Sequence, residues 1–267
     1  MNKPQDRIAL LIDAENVSKK YVKLIMDELS EYGVVTHKRV YGDFTNGSVL
    51  SWKENLAQYA MTPVFQFNST KGKNASDSAM IIDAMDILHS GNVDGFCLVT
   101  SDSDFTKLAI RLSEAGMHVI GMGEQKTPAS LVSACQSFKF LDLLYKDAII
   151  NEKDESEEQS MCVRESQIKY ETKKTESKAD SDYSAVPDRS EIEKEIASII
   201  SSKSGENEWV NLADVGNMLG KRISGFDPRN YGYCKLRDLV NDIGCFDIRD
   251  DPNPRNEFLK IVYVRNK

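Results

Sequence analysis

The chain has 267 residues, of which 40% are hydrophobic and 28% are charged, and these proportions are ordinary for a globular protein. Its formal net charge of −8 argues against a general polyanion-binding protein, because nucleic-acid-binding domains usually carry a basic excess. No stretch approaches the roughly 20 apolar residues that a membrane span requires, and the N-terminus lacks the pattern of a signal peptide, so we expect no membrane partner.

The first part of the chain, residues 1–146, alternates short apolar runs with stretches of helical periodicity. The apolar runs predict five strands, which are Ile8–Asp13, Val34–Tyr41, Val64–Phe67, Phe96–Thr100 and His118–Met122. Helical spacing of apolar residues follows each of the first four strands. Repeated strand–helix units of this length predict an α/β domain with a parallel sheet and helices on both faces.

The next segment, residues 147–189, is rich in Glu, Lys, Ser and Asp and poor in large apolar residues. Such a segment buries too little apolar surface to offset its conformational entropy, so it predicts a flexible acidic and polar linker. It carries 12 acidic and 7 basic residues, a net charge of −5, and therefore most of the net charge of −8 of the chain. That charge need not face a ligand of the flanking domains.

The last part, residues 190–267, again shows regular patterns. Ser190 and Glu193 have the spacing of a helix capping box, and two further helices follow it. The apolar runs Phe246–Ile248 and Phe258–Val264 flank a proline-containing turn, which predicts a terminal hairpin. Three helices and a two-stranded hairpin are typical of a small winged-helix (α+β) domain.

The five cysteines are odd in number and widely spaced, and no CxxC motif occurs. Free thiols fit this pattern better than disulfides or a zinc site, and free thiols are typical of a reducing compartment. We therefore expect a cytoplasmic protein.

Acidic side chains follow two of the predicted strands. Asp13 and Asn16 come directly after the first strand, Asp102 and Asp104 come after the fourth, and Asp77 lies at the start of the third helix. Ligands of an open parallel sheet bind outside the carboxyl ends of its strands, where the strand order reverses. If the first and fourth strands are neighbours, we expect these carboxylates to converge.

Carboxylates that lie within a few ångströms of one another repel, and a hard divalent cation relieves that repulsion. Oxygen ligands of this kind suit Mg²⁺ or Mn²⁺. Such an ion lowers the pKa of a bound water and stabilises charge on a phosphate oxygen, so the pattern favours hydrolysis of a phosphodiester.

Simpler interpretations remain for the individual residues. An aspartate after a strand is most often a helix N-cap, and Asp77 and Asp104 both precede or begin helices. Asp83 lies six positions after Asp77, on a different helix face, and is at most a supporting residue. Lys71 and Lys73 are candidates for holding a substrate phosphate, although both are equally well explained as solvated loop lysines.

Residues 7–145 resemble the NYN domain family, which has a PIN-like nuclease fold. The matching motifs are Asp13-Ala-Glu-Asn16, Lys-Gly-Lys-Asn-Ala-Ser-Asp77 and Thr-Ser-Asp102-Ser-Asp104-Phe105, and Gly121-Met-Gly-Glu-Gln-Lys-Thr-Pro128 is similar to the bacterial branch. The resemblance implies that Asp13, Asp77, Asp102 and Asp104 bind Mg²⁺ or Mn²⁺ with support from Asn16, and that the site cleaves RNA. Thr-Ser-Asp102 departs from the Ser-Gly-Asp of many relatives.

Residues 190–265 resemble the LOTUS (OST-HTH) domain, mainly through the run from Gly225 to Leu239. The resemblance implies a winged helix that binds RNA, including structured or G-quadruplex RNA, or a protein partner. A basic and aromatic cluster fits that expectation, since it offers phosphate contacts and stacking faces. Its members are Arg229, Tyr231, Lys235 and Arg237. Alternatively, Tyr231 packs in the core and the basic residues are merely solvated.

The leading hypothesis is a metal-dependent endoribonuclease whose C-terminal domain recruits the substrate RNA. The alternative is a non-catalytic RNA-binding regulator with a vestigial acidic site. A third hypothesis, a phosphatase of another doubly wound family, is disfavoured, because such an enzyme is expected to have Asp-x-Asp after the first strand and Glu15 occupies the second of those positions.

Overall fold

The structure is a computed structural model, and its description covers most of the two predicted domains. The described residues are 6–44, 51–65, 75–146, 148, 187–203, 209–253 and 256–267. Nearly all of the predicted linker, together with Lys71 and Lys73, lies outside them.

The N-terminal domain contains a parallel sheet of six strands. These are β1 (Asp6–Asp13), β2 (Gly33–Gly42), β3 (Thr62–Phe65), β4 (Gly95–Val99), β5 (His118–Gly123) and β6 (Ser137–Phe140). Their spatial order is β3-β2-β1-β4-β5-β6, and every pair is parallel. The predicted α/β fold class is confirmed, and so is the condition that the first and fourth strands are neighbours.

Helices connect these strands. They are α1 (Val22–Leu29), α2 (Lys53–Gln58), α3 (Ala75–Ser90), α4 (Thr106–Glu114) and α5 (Ala129–Ala134), and residues 141–146 are also helical. Residues 19–21 and 103–105 form short 3₁₀ turns ahead of α1 and α4. Helix α5 has six residues and strand β6 has four, and neither is long enough to show a period in the sequence, so neither was predicted.

The central strands are buried on both faces because helices cover both sides of the sheet. In β1, Ile8, Leu10 and Ile12 pack into one apolar cluster with α1, whereas Ala9 and Leu11 pack into a second cluster with α3 and α4. A strand that is buried on both faces needs a continuous apolar run rather than an alternating one. This explains the pattern from which the strand was predicted.

The C-terminal domain packs three helices against a small sheet. The elements are α6 (Arg189–Lys203), β7 (Val210–Asn211), α7 (Leu212–Arg222), α8 (Leu236–Ile243), β8 (Phe246–Asn253) and β9 (Asn256–Asn266). Strand β9 lies between β7 and β8 and is antiparallel to both. The predicted hairpin therefore gains a third strand, which comes from the short extended run before α7.

The two domains contact each other through the loop after α7. Ser224 donates a hydrogen bond from its hydroxyl to the carbonyl oxygens of Val132 (2.7 Å) and Cys135 (2.6 Å) at the end of α5. A Cβ atom added to Gly225 would lie 3.4 Å from Val132 and 3.4 Å from Phe140, so the backbone of the loop rests on apolar side chains of the N-terminal domain. The loop covers part of the surface beside the edge strand β6.

Among the helices that the structure describes, none combines the length and the apolar character that crossing a membrane requires.

Candidate active site

The acidic residues meet where the strand order reverses. Strand β1 pairs in parallel with β4, and Ile12 lies opposite Val99 at the carboxyl ends of the two strands. Asp13 is the last residue of β1, and Thr100 to Asp102 follow β4 directly. This reversal point is the usual ligand site of an open α/β sheet.

Asp13 is buried, with only 2% of its surface exposed. Its carboxylate accepts hydrogen bonds from the side chains of Asn16 (2.7 Å) and Thr100 (3.0 Å) and from the backbone amide of Glu15 (3.1 Å). Burial raises the pKa of Asp13 above its ordinary value, although these hydrogen bonds act in the opposite direction. Asn16 thus supports Asp13 directly.

Thr100 links the carboxyl ends of β1 and β4, and it was not predicted as a site residue. Its hydroxyl donates to Asp13 and accepts a hydrogen bond from the backbone amide of Asp102 (3.1 Å). The Thr100 side chain is itself buried, so neither bond competes with bulk water. Its position between a buried strand and Asp102 was the only feature of the local sequence that could have indicated this role.

Three carboxylates form a group beside this pair. Oxygen atoms of Asp77, Asp102 and Asp104 all lie within 4.8 Å of one another. Asp77 and Asp102 are partly buried and Asp104 is exposed, so the group faces solvent on one side. Asp13 is not one of these three residues, but among the neighbouring carboxylates its charge has the largest effect on Asp77.

The electrostatics of the group favour a cation. Burial, followed by the negative charges of Asp13, Asp102, Glu15 and Asp104, raises the pKa of Asp77 to about 6. Carboxylates that repel one another to this extent are stabilised by a positive ion. Oxygen atoms supplied by carboxylates alone form a donor set that suits a hard divalent cation such as Mg²⁺ or Mn²⁺.

Asp102 also caps a helical turn, which is the role that an aspartate after a strand most often has. Its Oδ1 accepts a hydrogen bond from the backbone amide of Asp104 (2.9 Å) at the start of the turn Ser103–Phe105. The cap fixes the side-chain orientation of Asp102 and places Asp104 beside it. Capping and membership of the acidic group therefore occur together.

Glu15 is a further acidic residue of this site. Its two carboxylate oxygens accept hydrogen bonds from the hydroxyl of Ser76 (3.2 Å) and the backbone amide of Asp43 (3.1 Å). Glu15 thereby joins the end of β1 to the first turn of α3, next to Asp77. Glu15 was not predicted as a site residue, although it lies in the motif Asp13-Ala-Glu-Asn16.

Gly123 allows the loop after β5 to approach the site. A Cβ atom at this position would lie 2.6 Å from the hydroxyl of Thr127 and 2.7 Å from the carbonyl oxygen of Thr100. The backbone amide of Glu124, the residue after Gly123, donates a hydrogen bond to the hydroxyl of Ser101 (2.9 Å). The glycine therefore permits a close approach of two backbones.

Asp83 lies apart from the acidic group. Its carboxylate binds the guanidinium of Arg39 and the hydroxyl of Tyr41, both on β2. It fastens α3 to the sheet and so supports the helix that carries Asp77.

The predicted RNA-binding residues of the C-terminal domain have different environments. Arg229 forms ion pairs with Glu28 of α1 and with Asp227, and the hydroxyl of Tyr231 donates to the carbonyl oxygen of Pro187 (2.9 Å). Lys235 and Arg237 are exposed, and Arg237 pairs with Asp250 (3.0 Å). Arg229 and Tyr231 are thus engaged within the protein, whereas Lys235 and Arg237 lie on its surface.

Family comparisons agree with the two-domain organisation. The model of the NYN domain matches residues 7–144, and the model of the OST-HTH/LOTUS domain matches residues 188–257. An uncharacterized protein of Methanocaldococcus jannaschii is 30% identical over 133 residues, which cover 46% of this chain and 50% of the relative. The chain thus matches half the length of that curated relative.

One solved structure is also similar. It is a protein of unknown function from Vibrio parahaemolyticus, which is 19% identical to this chain. The superposition covers 52% of this chain and 94% of the other, with a TM-score of 0.44.

Proposed function

The chain belongs to the NYN domain family and carries a LOTUS domain, and we propose that it is a divalent-metal-dependent endoribonuclease. The observation that supports this proposal is the group formed by Asp77, Asp102 and Asp104, whose oxygens lie within 4.8 Å of one another at the reversal point of the sheet. Such a group has the chemistry needed to act on a phosphodiester, the bond that joins nucleotides in RNA.

Asp77, Asp102 and Asp104 are the residues that would hold the cation. When bound there, Mg²⁺ or Mn²⁺ supplies an activated water and stabilises negative charge on the phosphate. Asp13 acts as a positioning residue, because its buried carboxylate holds Asn16 and, through Thr100, the backbone of Asp102. Glu15 positions the start of α3 through Ser76.

The C-terminal domain would bring the RNA to this site. Exposed Lys235 and Arg237 at the start of α8 offer two positive charges for RNA phosphates. Lys71 and Lys73 precede Asp77 in the chain and are proposed to hold the phosphate next to the scissile bond.

The test is a cleavage assay with the full chain. Labelled single-stranded and hairpin RNAs, and a circular RNA that only an endonuclease opens, would be incubated with Mn²⁺, with Mg²⁺ or with EDTA. We expect metal-dependent opening of the circle that Asp77→Asn and Asp102→Asn each reduce by at least about 100-fold. Asp86→Asn, an exposed aspartate of the same helix α3, is the matched control and should leave cleavage unchanged.

The opposite results have clear meanings. Cleavage that survives both substitutions would place the active site elsewhere. RNA binding without cleavage of any substrate, in either metal, would replace the enzyme with a non-catalytic RNA-binding regulator.

A further inference from the structure

A second cleft lies between the two domains, away from the acidic group. It has a volume of about 740 Å³, within the range of small-molecule sites. Its walls come from the amino ends of β5 and β6 and from the end of α7, and they include His118, Ser137 and Lys221. Because β5 has six residues, these amino ends lie about 17–20 Å from the strand ends that carry the acidic group.

The charge of the cleft is of one sign. Among its lining residues, Lys221 and Arg222 are cationic, and none of the lining residues is an aspartate or a glutamate. Arg222 pairs with Glu195 (3.3 Å), whereas Lys221 is exposed and forms no ion pair with any residue that the structure describes. The protein as a whole has a net charge of −8, so a cleft lined by cations and no carboxylate differs from the rest of it. Such a cleft favours the binding of an anion.

The cleft also contains a buried hydroxyl that lacks a partner. The Ser137 hydroxyl is inaccessible to solvent and makes no hydrogen bond to any described residue. Leaving a buried hydroxyl unpaired costs free energy, but this oxygen is not exposed to the cleft and offers no contact to a ligand in this conformation. Ser137 begins the edge strand β6, next to the loop on which the domains meet.

Two rings complete the lining. Tyr32 and His118 form a tilted pair whose ring centroids are 5.9 Å apart, and both residues are half-buried. Rings of this kind provide stacking faces for nucleobases. Cationic side chains and an aromatic pair are together groups that recognise a phosphate attached to a base.

We propose that the cleft between the domains binds a nucleotide through its phosphate, either as a free mononucleotide or as one unit of an RNA chain. Lys221 contacts the phosphate, and the Tyr32 and His118 rings contact the base. The site uses residues of both domains and is separate from the proposed cleavage site. It does not depend on metal or on hydrolysis.

The test is calorimetric titration of the full chain in EDTA, which suppresses metal-dependent cleavage. The probes are AMP, adenosine as its analogue without phosphate, inorganic phosphate, and a uridine tetranucleotide. We expect AMP or the tetranucleotide to bind and adenosine to bind at least about tenfold more weakly, because the charged contacts involve the phosphate. Binding of AMP as tight as that of the tetranucleotide identifies a free nucleotide, and binding of the tetranucleotide alone identifies RNA.

Two variants localise the binding. Lys221→Glu reverses the charge on the cleft wall and should weaken binding at least about tenfold. Lys194→Glu makes the same change at an exposed position of α6 that does not line the cleft, and it should leave binding intact. If none of the phosphate-bearing probes binds, or if Lys221→Glu binds as well as the unaltered protein, the proposal is overturned.

Discussion

Arg229 forms a bidentate ion pair with Glu28, a residue 201 positions earlier in the chain. The guanidinium nitrogens lie 2.6 and 3.0 Å from the two carboxylate oxygens. Asp227 accepts from the same guanidinium (2.8 Å) and from Lys139 of β6 (2.7 Å), so two acids and two bases alternate across the domain contact. Glu28 and Asp227 are more than nine-tenths buried, which shields the network from solvent.

The first prediction concerns the strength of this network. Arg229→Ala leaves two buried carboxylates with one cation, and we expect it to lower the free energy of unfolding by about 2–4 kcal/mol, a range reduced for the partial exposure of the guanidinium. A double-mutant cycle with Glu28→Ala, measured by denaturant titration, should show coupling between the two positions. Arg7→Ala breaks a fully exposed ion pair with Asp94 and should cost much less. Equal losses in the two variants would mean that burial does not strengthen the domain contact.

The second prediction concerns acid. Burial alone would raise the pKa of Asp227, but Arg229 and Lys139 lower it from 3.8 to about 2. A depressed pKa in the folded state stabilises the fold above the unfolded value and ceases to do so as the pH falls. The stability difference between the unaltered protein and Asp227→Asn should therefore be full above pH 4 and should disappear between about pH 4 and pH 2. Unfolding curves at several pH values measure it, and a constant difference across that window would contradict the network.

The third prediction links metal binding to protons at Asp77, whose pKa is raised to about 6. A raised pKa means that ionisation destabilises the metal-free fold, so the stability that the neutral form provides is lost as the pH rises through about 6. A cation competes with the proton, and Mn²⁺ affinity should fall as the pH drops below 6. Calorimetry in buffers of different ionisation enthalpy should detect more proton release at pH 6 than at pH 8. Equal release at both values would place the cation away from Asp77.

The fourth prediction tests the hydroxyl that joins Asp13 to Asp102. Thr100→Val keeps the shape of the side chain and removes both hydrogen bonds, so we expect cleavage and Mn²⁺ affinity to fall by about 10–100-fold. Thr100→Ser retains the hydroxyl and should restore most of both. If the valine and serine variants behave alike, the effect comes from packing and not from the hydrogen bonds.

The fifth prediction concerns Gly123, where an added Cβ would meet Thr127 and the backbone of Thr100 at less than 3 Å. Gly123→Ala should destabilise the fold by about 1–3 kcal/mol and disturb the acidic group. Gly220→Ala is the matched control, because a Cβ there meets nothing within 4 Å inside α7, and it should stabilise the fold by about 0.4–1 kcal/mol. Thermal unfolding measures the stability of the two variants, and similar midpoints would contradict a close approach of the backbones at Gly123.

Local patterns were sufficient to predict the central fold. The strands β1, β4 and β5 are buried apolar runs, and each is followed by a polar or glycine-containing turn, so their existence could be predicted from a few adjacent residues. Strand β6 has only four residues and alternates Phe138 and Phe140 with polar neighbours, which is too short a pattern to separate from a loop. The start of α6 was also displaced: the helix begins at Arg189, and Ser190, the predicted cap, lies inside its first turn.

The site was less predictable, because its residues act through partners that are distant in sequence. Asp77, Asp102 and Asp104 could be proposed from strand ends, but the hydrogen bond that holds Asp13 comes from Thr100, which lies 87 positions away from it. Arg229 was interpreted as an RNA contact because its neighbours are basic and aromatic. The ion pair with Glu28 could not be predicted from that local pattern, because the two residues are 201 positions apart in the chain.

The loop of the C-terminal domain that rests on Val132 and Phe140 has a consequence for synthesis. Roughly 90 residues separate Phe140 from Arg229, and at about 5–20 residues per second the ribosome needs roughly 5–20 s to make them. During that interval the nascent N-terminal domain presents an apolar surface that its own later sequence will cover. A chain that stops before residue 188 lacks this loop, so the side chains of Val132 and Phe140 lose the cover that the backbone at Gly225 provides.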